Sequence, residues 1–253
     1  MREPRLPSVY KLIALNTVDS TNAEAKRLAV HGEEEAADGT IIWAKEQTTG
    51  RGRRGRAWSS PKGNLYCSLI LRPDAPASVA AQLSFVAGLA IHDALCLLSE
   101  PGHEVLVKWP NDILVNGKKV AGILLEAEQS SGDVPAWLIL GLGLNVGVHP
   151  EDAEFPATSL RFEGWPSTEI DVLEAYCRYF LSWTSRWLDQ GFEQVRKNWL
   201  WRCKGQGEHM EVRLAGETLT GVFADIDDNG ALVLDQDGHQ RIISAGDVYF
   251  GGS

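Results

Sequence analysis

Apolar residues follow one another at several spacings along the chain, and each spacing predicts a different kind of element. Short, mostly apolar runs bounded by polar or turn residues predict β-strands. Such runs occupy residues 9–16, 40–47, 65–71, 105–115, 118–126 and 137–146. This part of the chain is therefore expected to build a β-sheet.

Helical spacing is strongest in the stretch 78–100, where apolar residues recur every three or four positions and predict one long core helix. Residues 170–190 and 192–203 predict two amphipathic helices. A shorter helix is expected to begin at a Ser20 or Thr21 cap. Helices packed on strands predict an α+β fold with a mixed β-sheet.

From about residue 205 the pattern becomes the alternation of short strands. The predicted strands are residues 209–214, 218–225, 231–235 and 240–243, separated by Asp228-Asn229-Gly230 and Asp237-Gly238. About fifty residues of this kind predict a small β-barrel. We therefore expect two domains, at residues 1–204 and 205–253.

The strongest turn signal is Asn116-Gly117, which lies between two apolar runs and predicts a β-hairpin. Lys118 and Lys119 follow this turn directly. Because side chains alternate along a strand, the two lysines are expected on opposite faces, one over a ligand site and one in solvent.

Two glycines in an otherwise buried strand, Gly141 and Gly143, predict a flat patch on which a thin ligand would lie. Gly122, in a neighbouring strand, predicts a bulge or the close approach of a ligand. Asn145 ends the glycine-bearing run and carries the donor and acceptor that a purine edge requires. An ordinary strand-end asparagine explains Asn145 equally well.

The most unusual stretch is Gly50-Arg51-Gly52-Arg53-Arg54-Gly55-Arg56-Ala57-Trp58, called here the arginine loop (residues 50–58). Four guanidinium groups this close together cannot all be buried, and their planar forks match carboxylate or phosphate. The glycine spacing also satisfies the dinucleotide fingerprint, but a turn and a strand follow it where a helix is required. The stretch predicts an anion site; a solvated basic loop is the alternative.

The arginine loop is a local basic segment in a chain that is acidic overall. The sequence has 34 acidic and 24 basic residues and a net charge of −10, so general nucleic-acid binding is not expected. Its 4 cysteines lack metal-site spacing and indicate reduced thiols, as in a cytoplasmic protein. No apolar run is expected to reach membrane-spanning length, and the first residues lack the pattern of a signal peptide.

Taken in order, several stretches closely resemble the motifs of the biotin–protein ligases. They are Ser20-Thr21-Asn22, the arginine loop, Lys108-Trp109-Pro110-Asn111-Asp112, Lys119-Val120-Ala121-Gly122-Ile123-Leu124-Leu125-Glu126 and Gly141-Leu142-Gly143-Leu144-Asn145. The predicted barrel resembles the SH3-like carboxyl-terminal domain of that family. Few residues precede Ser20, so the chain resembles the class that has ligase activity without an amino-terminal DNA-binding domain.

The resemblance implies an ATP-dependent ligase. Such an enzyme joins biotin and ATP into biotinyl-5′-AMP with the help of Mg²⁺, and then transfers biotin to a lysine of a biotin carboxyl carrier protein. The resemblance further implies a cytoplasmic monomer or homodimer with no DNA or membrane partner.

The resemblance also assigns roles to individual residues. Lys119 and Arg53 would be catalytic, flanking the carboxylate and the phosphate. The biotin contacts would be Ser20, Thr21, Asn22, Gln47, Arg51, Gly52, Arg53, Lys119, Gly122, Gly141 and Gly143. The ATP contacts would be Arg54, Arg56, Trp58 and Asn145. Asp112 would contact the metal, although it is also explained as a turn residue.

Other functions remain open at this stage. A lipoate or octanoate ligase or transferase shares the general fold and the lysine-acylation chemistry but is not expected to carry the arginine loop. A ligand-sensing repressor is disfavoured because no DNA-binding domain is expected. A nucleic-acid-binding role for the barrel is disfavoured by its many acidic residues.

Overall fold

The computed structural model describes residues 2–32, 36–128, 133–153 and 155–250, which form a large mixed sheet, packed helices and a smaller sheet. In chain order the elements are β1 (Lys11–Leu15), α1 (Thr21–Val30), β2 (Thr40–Ala44), β3 (Leu65–Leu71), α2 (Ala77–Ala80), α3 (Leu83–Leu98), β4 (Val105–Lys108), β5 (Asp112–Val115), β6 (Lys118–Ala127), β7 (Leu138–Leu144), α4 (Glu169–Gln190), α5 (Phe192–Trp201), β8 (His209–Arg213), β9 (Thr218–Ile226), β10 (Leu232–Gln236), β11 (His239–Ile243) and β12 (Asp247–Phe250).

The large sheet has the strand order β1-β2-β3-β7-β6-β5-β4. Strands β1 and β2 are parallel because α1 crosses over between them, and the other neighbours are antiparallel. The predicted α+β class with a mixed sheet is confirmed. Strand β7 lies at the centre, so the two glycines that it carries are flanked by β3 and β6.

Helices cover both faces of this sheet. Ile42, Ile70 and Ile139 pack with α1 in a small apolar cluster, whereas Ile41 and Leu69 belong to the main core with α3 and α4. Because both faces are covered, β2 is buried along its whole length. This explains why its sequence is a continuous apolar run rather than an alternating one.

The helix predicted over residues 78–100 is broken into α2 and α3. Gln82 is buried at the break, where its Oε1 accepts from Trp187 Nε1 at 2.8 Å and its Nε2 donates to the Asp228 carbonyl at 3.1 Å. These bonds reach α4 and the smaller sheet. The position of the break therefore depends on distant residues, which the local apolar spacing does not register.

The same helices correct the expectation about apolar runs. By length and composition, Ala77–Leu98 would be long and apolar enough to cross a membrane. However, 67% of the most apolar part of this stretch is buried inside the folded chain. The stretch is the core of the helical layer, and α3 packs against α4, α5 and the large sheet.

The smaller sheet is antiparallel, with the strand order β11-β10-β9-β8-β12. Strands β8 to β11 confirm the predicted strands, whereas β12, which pairs with β8, was not predicted. Phe223 and Leu234 of this sheet share one hydrophobic cluster with the helices. The Trp109 indole N–H also donates to the Gly230 carbonyl at 3.0 Å, so the two sheets are joined by buried contacts.

Gly230 and Gly238 provide a matched test of this contact, because their φ values are +81° and +88°. A Cβ on Gly230 would lie 2.3 Å from Phe85 Cε2, whereas one on Gly238 would meet nothing within 4 Å. We expect Gly238→Ala to lower the free energy of unfolding by about 1–2 kcal/mol through backbone strain. Gly230→Ala should lower the free energy of unfolding by about 1–3 kcal/mol more than Gly238→Ala does, because its Cβ would overpack against Phe85. Chemical denaturation measures both losses, and equal losses would contradict tight packing of Gly230 on Phe85.

Candidate active site

A cavity of about 670 Å³ opens beside β6 and β7. Its walls come from the start of α1, the arginine loop and the turn between β4 and β5. Further walls come from Asp247 and Val248 of the smaller sheet and from a segment that contributes Pro150, Asp152, Ala153, Phe155 and Ala157. Every residue predicted for the site lines this cavity except Arg54. The predicted residues are thus brought together from widely separated parts of the chain.

The start of α1 forms an uncharged polar end of the cavity. Ser20 caps the helix by accepting from the Ala23 amide, as predicted. Thr21 donates to Gln47 Oε1 twice, from its backbone N–H at 2.8 Å and from its hydroxyl at 3.0 Å. Gln47 Nε2 in turn donates to Ser60 Oγ at 2.9 Å. These bonds fix the orientation of the Gln47 amide and direct the Thr21 hydroxyl hydrogen away from a ligand.

Asn22 occupies the space that Gly141 leaves open. A Cβ at Gly141 would lie 2.1 Å from Asn22 Oδ1. The amide is anchored on both sides: Ser68 Oγ lies 2.6 Å from Oδ1, and Nδ2 donates to Glu126 Oε2 at 2.7 Å. The sequence did not assign Ser68 or Glu126 to the site. The sequence signal for Ser68 is its hydroxyl in the otherwise apolar run of β3, and the structure buries this serine fully.

Trp58 packs on the sheet at the other glycines. A Cβ added to Gly122 would lie 3.2 Å from the Trp58 indole. A Cβ added to Gly143 would lie 2.6 Å from Trp58 Nε1. The expectation of a bare glycine patch is therefore corrected, because the glycines admit Asn22 and Trp58. Within the described ranges, the buried Trp58 Nε1 has no hydrogen-bond acceptor.

The arginine loop turns tightly through a 3₁₀ segment, Arg53–Gly55, closed by a bond from Gly52 N to the Arg56 carbonyl at 2.7 Å. Arg54 has φ of +53° at the tip. Gly50, at the start of the loop, has no room for a side chain, because a Cβ there would lie 2.3 Å from Ser60 Oγ. The loop geometry is therefore set by the backbone before its side chains are considered.

The arginine side chains diverge. Arg54 and Arg56 pair with Asp247 of β12 at 3.1 and 2.7 Å. Arg53 points inward, with Nη1 3.4 Å from Asn111 Oδ1. Burial lowers the pKa of Arg53 below its ordinary value, against the opposing effect of Asp247. A guanidinium that has lost part of its hydration is suited to pairing with an anion in the cavity.

Arg54 lies apart from the other predicted site residues. The sequence predicted that it meets the polyphosphate of ATP, but its side chain lies outside the cavity lining. The physical reason is the ion pair with Asp247, a residue far away in the sequence.

The hairpin separates its two lysines as predicted. Asn116 and Gly117 have φ of +51° and +76°, which forms the tight turn. Lys119 enters the cavity, with Nζ 2.6 Å from Asp112 Oδ1 and 5.4 Å from the Trp58 ring centroid. Lys118 leaves on the other side and lies 5.3 Å above the Phe162 ring.

Asn145 holds protein backbone in this structure. Its Nδ2 donates to the Thr158 carbonyl at 3.0 Å, and its carbonyl accepts from Leu160 N at 3.0 Å. The wall to which Pro150, Phe155 and Ala157 contribute was expected only as part of an irregular loop. The ring centroid of Phe155, in this wall, lies 4.2 Å from Lys108 Nζ, and the ring stacks on Tyr249. The sequence carries no local signal for this contact.

Comparisons with known proteins agree with this arrangement. The family model described as "Biotin/lipoate A/B protein ligase family" matches residues 6–201, and the one described as "Biotin protein ligase C terminal domain" matches residues 206–251. The chain is 41% identical over 244 residues to the biotin–[acetyl-CoA-carboxylase] ligase of Paracoccus denitrificans, covering 94% of this chain and 100% of that protein.

Two solved structures are similar over most of the chain. The biotin protein ligase of Aquifex aeolicus in complex with biotin and ATP has a TM-score of 0.79 and 27% identity, covering 95% of this chain and 99% of that one. The biotin protein ligase of Leishmania major in complex with biotinyl-5-AMP has a TM-score of 0.62 and 26% identity, covering 93% and 99%.

Proposed function

The chain belongs to the biotin/lipoate A/B protein ligase family, and from this premise we propose that it activates biotin with ATP as biotinyl-5′-AMP and transfers biotin to a lysine of the carboxyl carrier protein of acetyl-CoA carboxylase. The observation that carries the proposal is the polarity of the cavity. An uncharged hydrogen-bonding end at Thr21 and Gln47 and a cationic end at Arg53 and Lys119 line the same cavity. Biotin has the same polarity, with a neutral ureido ring at one end and a carboxylate at the other.

The uncharged end suits the ureido ring. Because the Thr21 hydroxyl donates to Gln47 and Ser68 Oγ, 2.8 Å away, can occupy only one lone pair of Thr21 Oγ1, a lone pair is left to accept from a ureido N–H. The Ser20 hydroxyl accepts from Ala23 N, so its own hydrogen is suited to the ureido carbonyl. Asn22 would complete this end, and Arg51 and Gly52 would contact biotin towards its carboxylate. Gly141, Gly143 and Gly122 contribute by making room for the side chains that shape it.

The cationic end suits the first reaction step. A carboxylate oxygen of biotin attacks the α-phosphorus of ATP, the bond to pyrophosphate breaks, and an acyl-phosphate anhydride forms. Both reactants are anions, so positive charge must be in place where they meet. Arg53 and Lys119 supply it. In the second step the neutral lysine amine of the carrier attacks the acyl carbon, AMP leaves, and the amine loses its proton to solvent.

ATP would occupy the part of the cavity near Trp58, Asn145 and Arg56. The indole of Trp58 offers an aromatic face for the adenine. Asn145 would act mainly by fixing residues 156–160 around the nucleotide, because its Nδ2 already donates to Thr158. Arg54 would join only after leaving Asp247.

Mg²⁺ is part of the proposal, and Asp112 would help to hold it. Asp112 lines the cavity beside Lys119, and the described part of the chain has no cluster of three or more metal-binding side chains. Mg²⁺ at nucleotide sites commonly uses one or two carboxylates and takes its other ligands from phosphates and water, so this donor set fits. The ion would supply additional positive charge to the phosphates.

The remaining features of the proposal concern the whole molecule. The division into domains at residues 204 and 205 stays a prediction, as do a cytoplasmic location and a monomeric or homodimeric state. The net charge of −10 supports the absence of DNA as a partner. Asp247 links the smaller sheet to the arginine loop, so that sheet would influence the use of ATP.

Pyrophosphate release by the purified protein tests the function. With ATP and Mg²⁺, biotin should cause release and lipoate should not, and adding a biotin carboxyl carrier protein should give a biotinylated lysine detectable by mass spectrometry. Release with lipoate alone would favour the lipoate class instead. No release with either acid would reject both ligase functions.

Lys119 and Lys118 provide a matched pair of variants. Lys119→Ala should slow single-turnover adenylation by about 10²–10³, because it removes a charge placed for the transition state. It should weaken biotin binding, measured by calorimetry, much less. Lys119→Arg should restore little, since a planar fork does not replace a compact ammonium. Lys118→Ala should be nearly silent. Equal losses at both lysines would contradict the assignment of Lys119.

Asp112 is tested by the metal requirement. Asp112→Asn should raise the Mg²⁺ concentration for half-maximal adenylation by about tenfold or more, while biotin binding in the absence of ATP and metal should change little. Asp152→Asn is the comparison, because Asp152 also lines the cavity. A raised Mg²⁺ requirement for Asp152→Asn alone would show that the metal lies elsewhere.

A further inference from the structure

The main chain of Lys119 is held from the side by residues 156–158. Lys119 N donates to the Pro156 carbonyl at 2.8 Å, and Thr158 N donates to the Lys119 carbonyl at 2.9 Å. These two bonds form a short parallel bridge beyond the end of β7. The backbone beneath the Lys119 side chain therefore depends on a segment that is distant in sequence, because most of β6 and all of β7 lie between them along the chain.

Glu163 joins this segment to the hairpin turn that precedes Lys119. One carboxylate oxygen accepts from Thr158 Oγ1 at 2.5 Å, and the other accepts from Asn116 Nδ2 at 2.7 Å. Thr158 is fully buried, whereas Asn116 is at the exposed tip of the hairpin. A single carboxylate thus spans the two pieces of backbone between which Lys119 lies.

Both partners of Glu163 are themselves fixed. Asn116 exchanges two further bonds with the backbone of Glu104, through its own N–H and its Oδ1. The Thr158 carbonyl accepts from Asn145 Nδ2. The two hydrogen bonds of the Glu163 carboxylate, called here the carboxylate bridge, therefore connect to two residues of the proposed site. They reach Lys119 through the backbone and Asn145 through Thr158.

The environment of Glu163 favours the ionised, accepting form. Partial burial raises its pKa, but the hydrogen bonds from Thr158 and Asn116 and the charge of Lys118 outweigh this effect, so the pKa lies below its usual value. At neutral pH both oxygens are then acceptors, as the bridge requires.

We infer that Glu163 is a positioning residue for the adenylation reaction, which sets the location of Lys119 by tying the hairpin turn to residues 156–158. The inference rests on the proposed function, because it assigns a task to a residue that supports Lys119. Glu163 lies outside the cavity lining and would act only through these two bonds.

The two bonds predict an order of activities that a charge effect would not produce. Glu163→Gln keeps the bridge, because the amide oxygen still accepts from Asn116 and the amide nitrogen donates to the Thr158 hydroxyl. Glu163→Asp keeps the charge but is shorter by one carbon–carbon bond, about 1.5 Å, and cannot span both partners. Glu163→Ala removes the bridge entirely.

The expected kcat for biotin-dependent pyrophosphate release follows from this geometry. Glu163→Gln should stay within about twofold of the unmodified protein, and Glu163→Ala should fall by about 10–100-fold, since misplacing a catalytic group by about 1 Å costs about 10²-fold. Glu163→Asp should lie between them. The KM for biotin should change by less than about threefold, because the uncharged end of the cavity is untouched.

Asp171 supplies the matched control. It also accepts from a threonine, with Oδ2 2.6 Å from Thr168 Oγ1 and 2.9 Å from Thr168 N, but it caps α4 away from the cavity. Asp171→Ala should lower the melting temperature with kcat unchanged. If Glu163→Ala does not fold, Thr158→Val takes its place, since it removes one bond at nearly constant volume and should lower kcat several-fold.

The outcomes separate the inference from its premise. An order in which Glu163→Asp is active and Glu163→Gln is not would show that charge matters and would overturn positioning. A loss of melting temperature with normal kcat, as for Asp171→Ala, would reduce Glu163 to a structural residue. Absence of biotin-dependent release by the unmodified protein would instead reject the proposed function.

Discussion

Mutual repulsion among the closely spaced arginines of one loop is the constraint on which the site depends. The chain meets it by dividing the arginines between two surroundings: Arg54 and Arg56 pair with Asp247, while Arg53 turns into the cavity. Each half-exposed pair contributes only about 0.2–1 kcal/mol, so their role is to set direction more than to stabilise the fold. Because Asp247 belongs to the smaller sheet, the shape of the arginine loop and the packing of the two sheets are linked. That packing is buried and apolar, and Phe223 belongs to the same core as the helices.

The uncharged end of the cavity solves a different problem. Its polar groups are buried, and each must be satisfied without losing the capacity to meet a ligand. The bonds of Gln47 and of Asn22 achieve this by fixing which end of each amide is a donor. Gly141 is required for this arrangement, since a Cβ there would overlap Asn22. The glycines on the sheet therefore shape the cavity indirectly, through the side chains that they admit.

The cationic end is built on a hairpin whose support comes from elsewhere. Alternation sends Lys118 and Lys119 to opposite sides of β6, but it does not fix the position of the Lys119 backbone, because the pairing of β5 with β6 shifts register between Lys119 and Ala121. That is the task of residues 156–158, which take up the pairing where β7 ends, and of the carboxylate of Glu163 beyond them. The family resemblance identifies Lys119 as the lysine of the site, whereas the surrounding contacts fix the position of its backbone.

The sequence by itself determined those features that depend on neighbouring residues. The hairpin at Asn116 is specified by two residues that tolerate positive φ, and the opposite directions of the two lysines that follow it come from strand geometry. The residues that the sequence assigned to the site line the cavity, apart from Arg54, and all of them except Gln47 belong to short recognisable motifs. Only the tertiary structure decided the direction of Arg54, the break at Gln82 and the partners of Glu163. In each case the deciding group lies far away along the chain, and local propensity and periodicity contain no information about it.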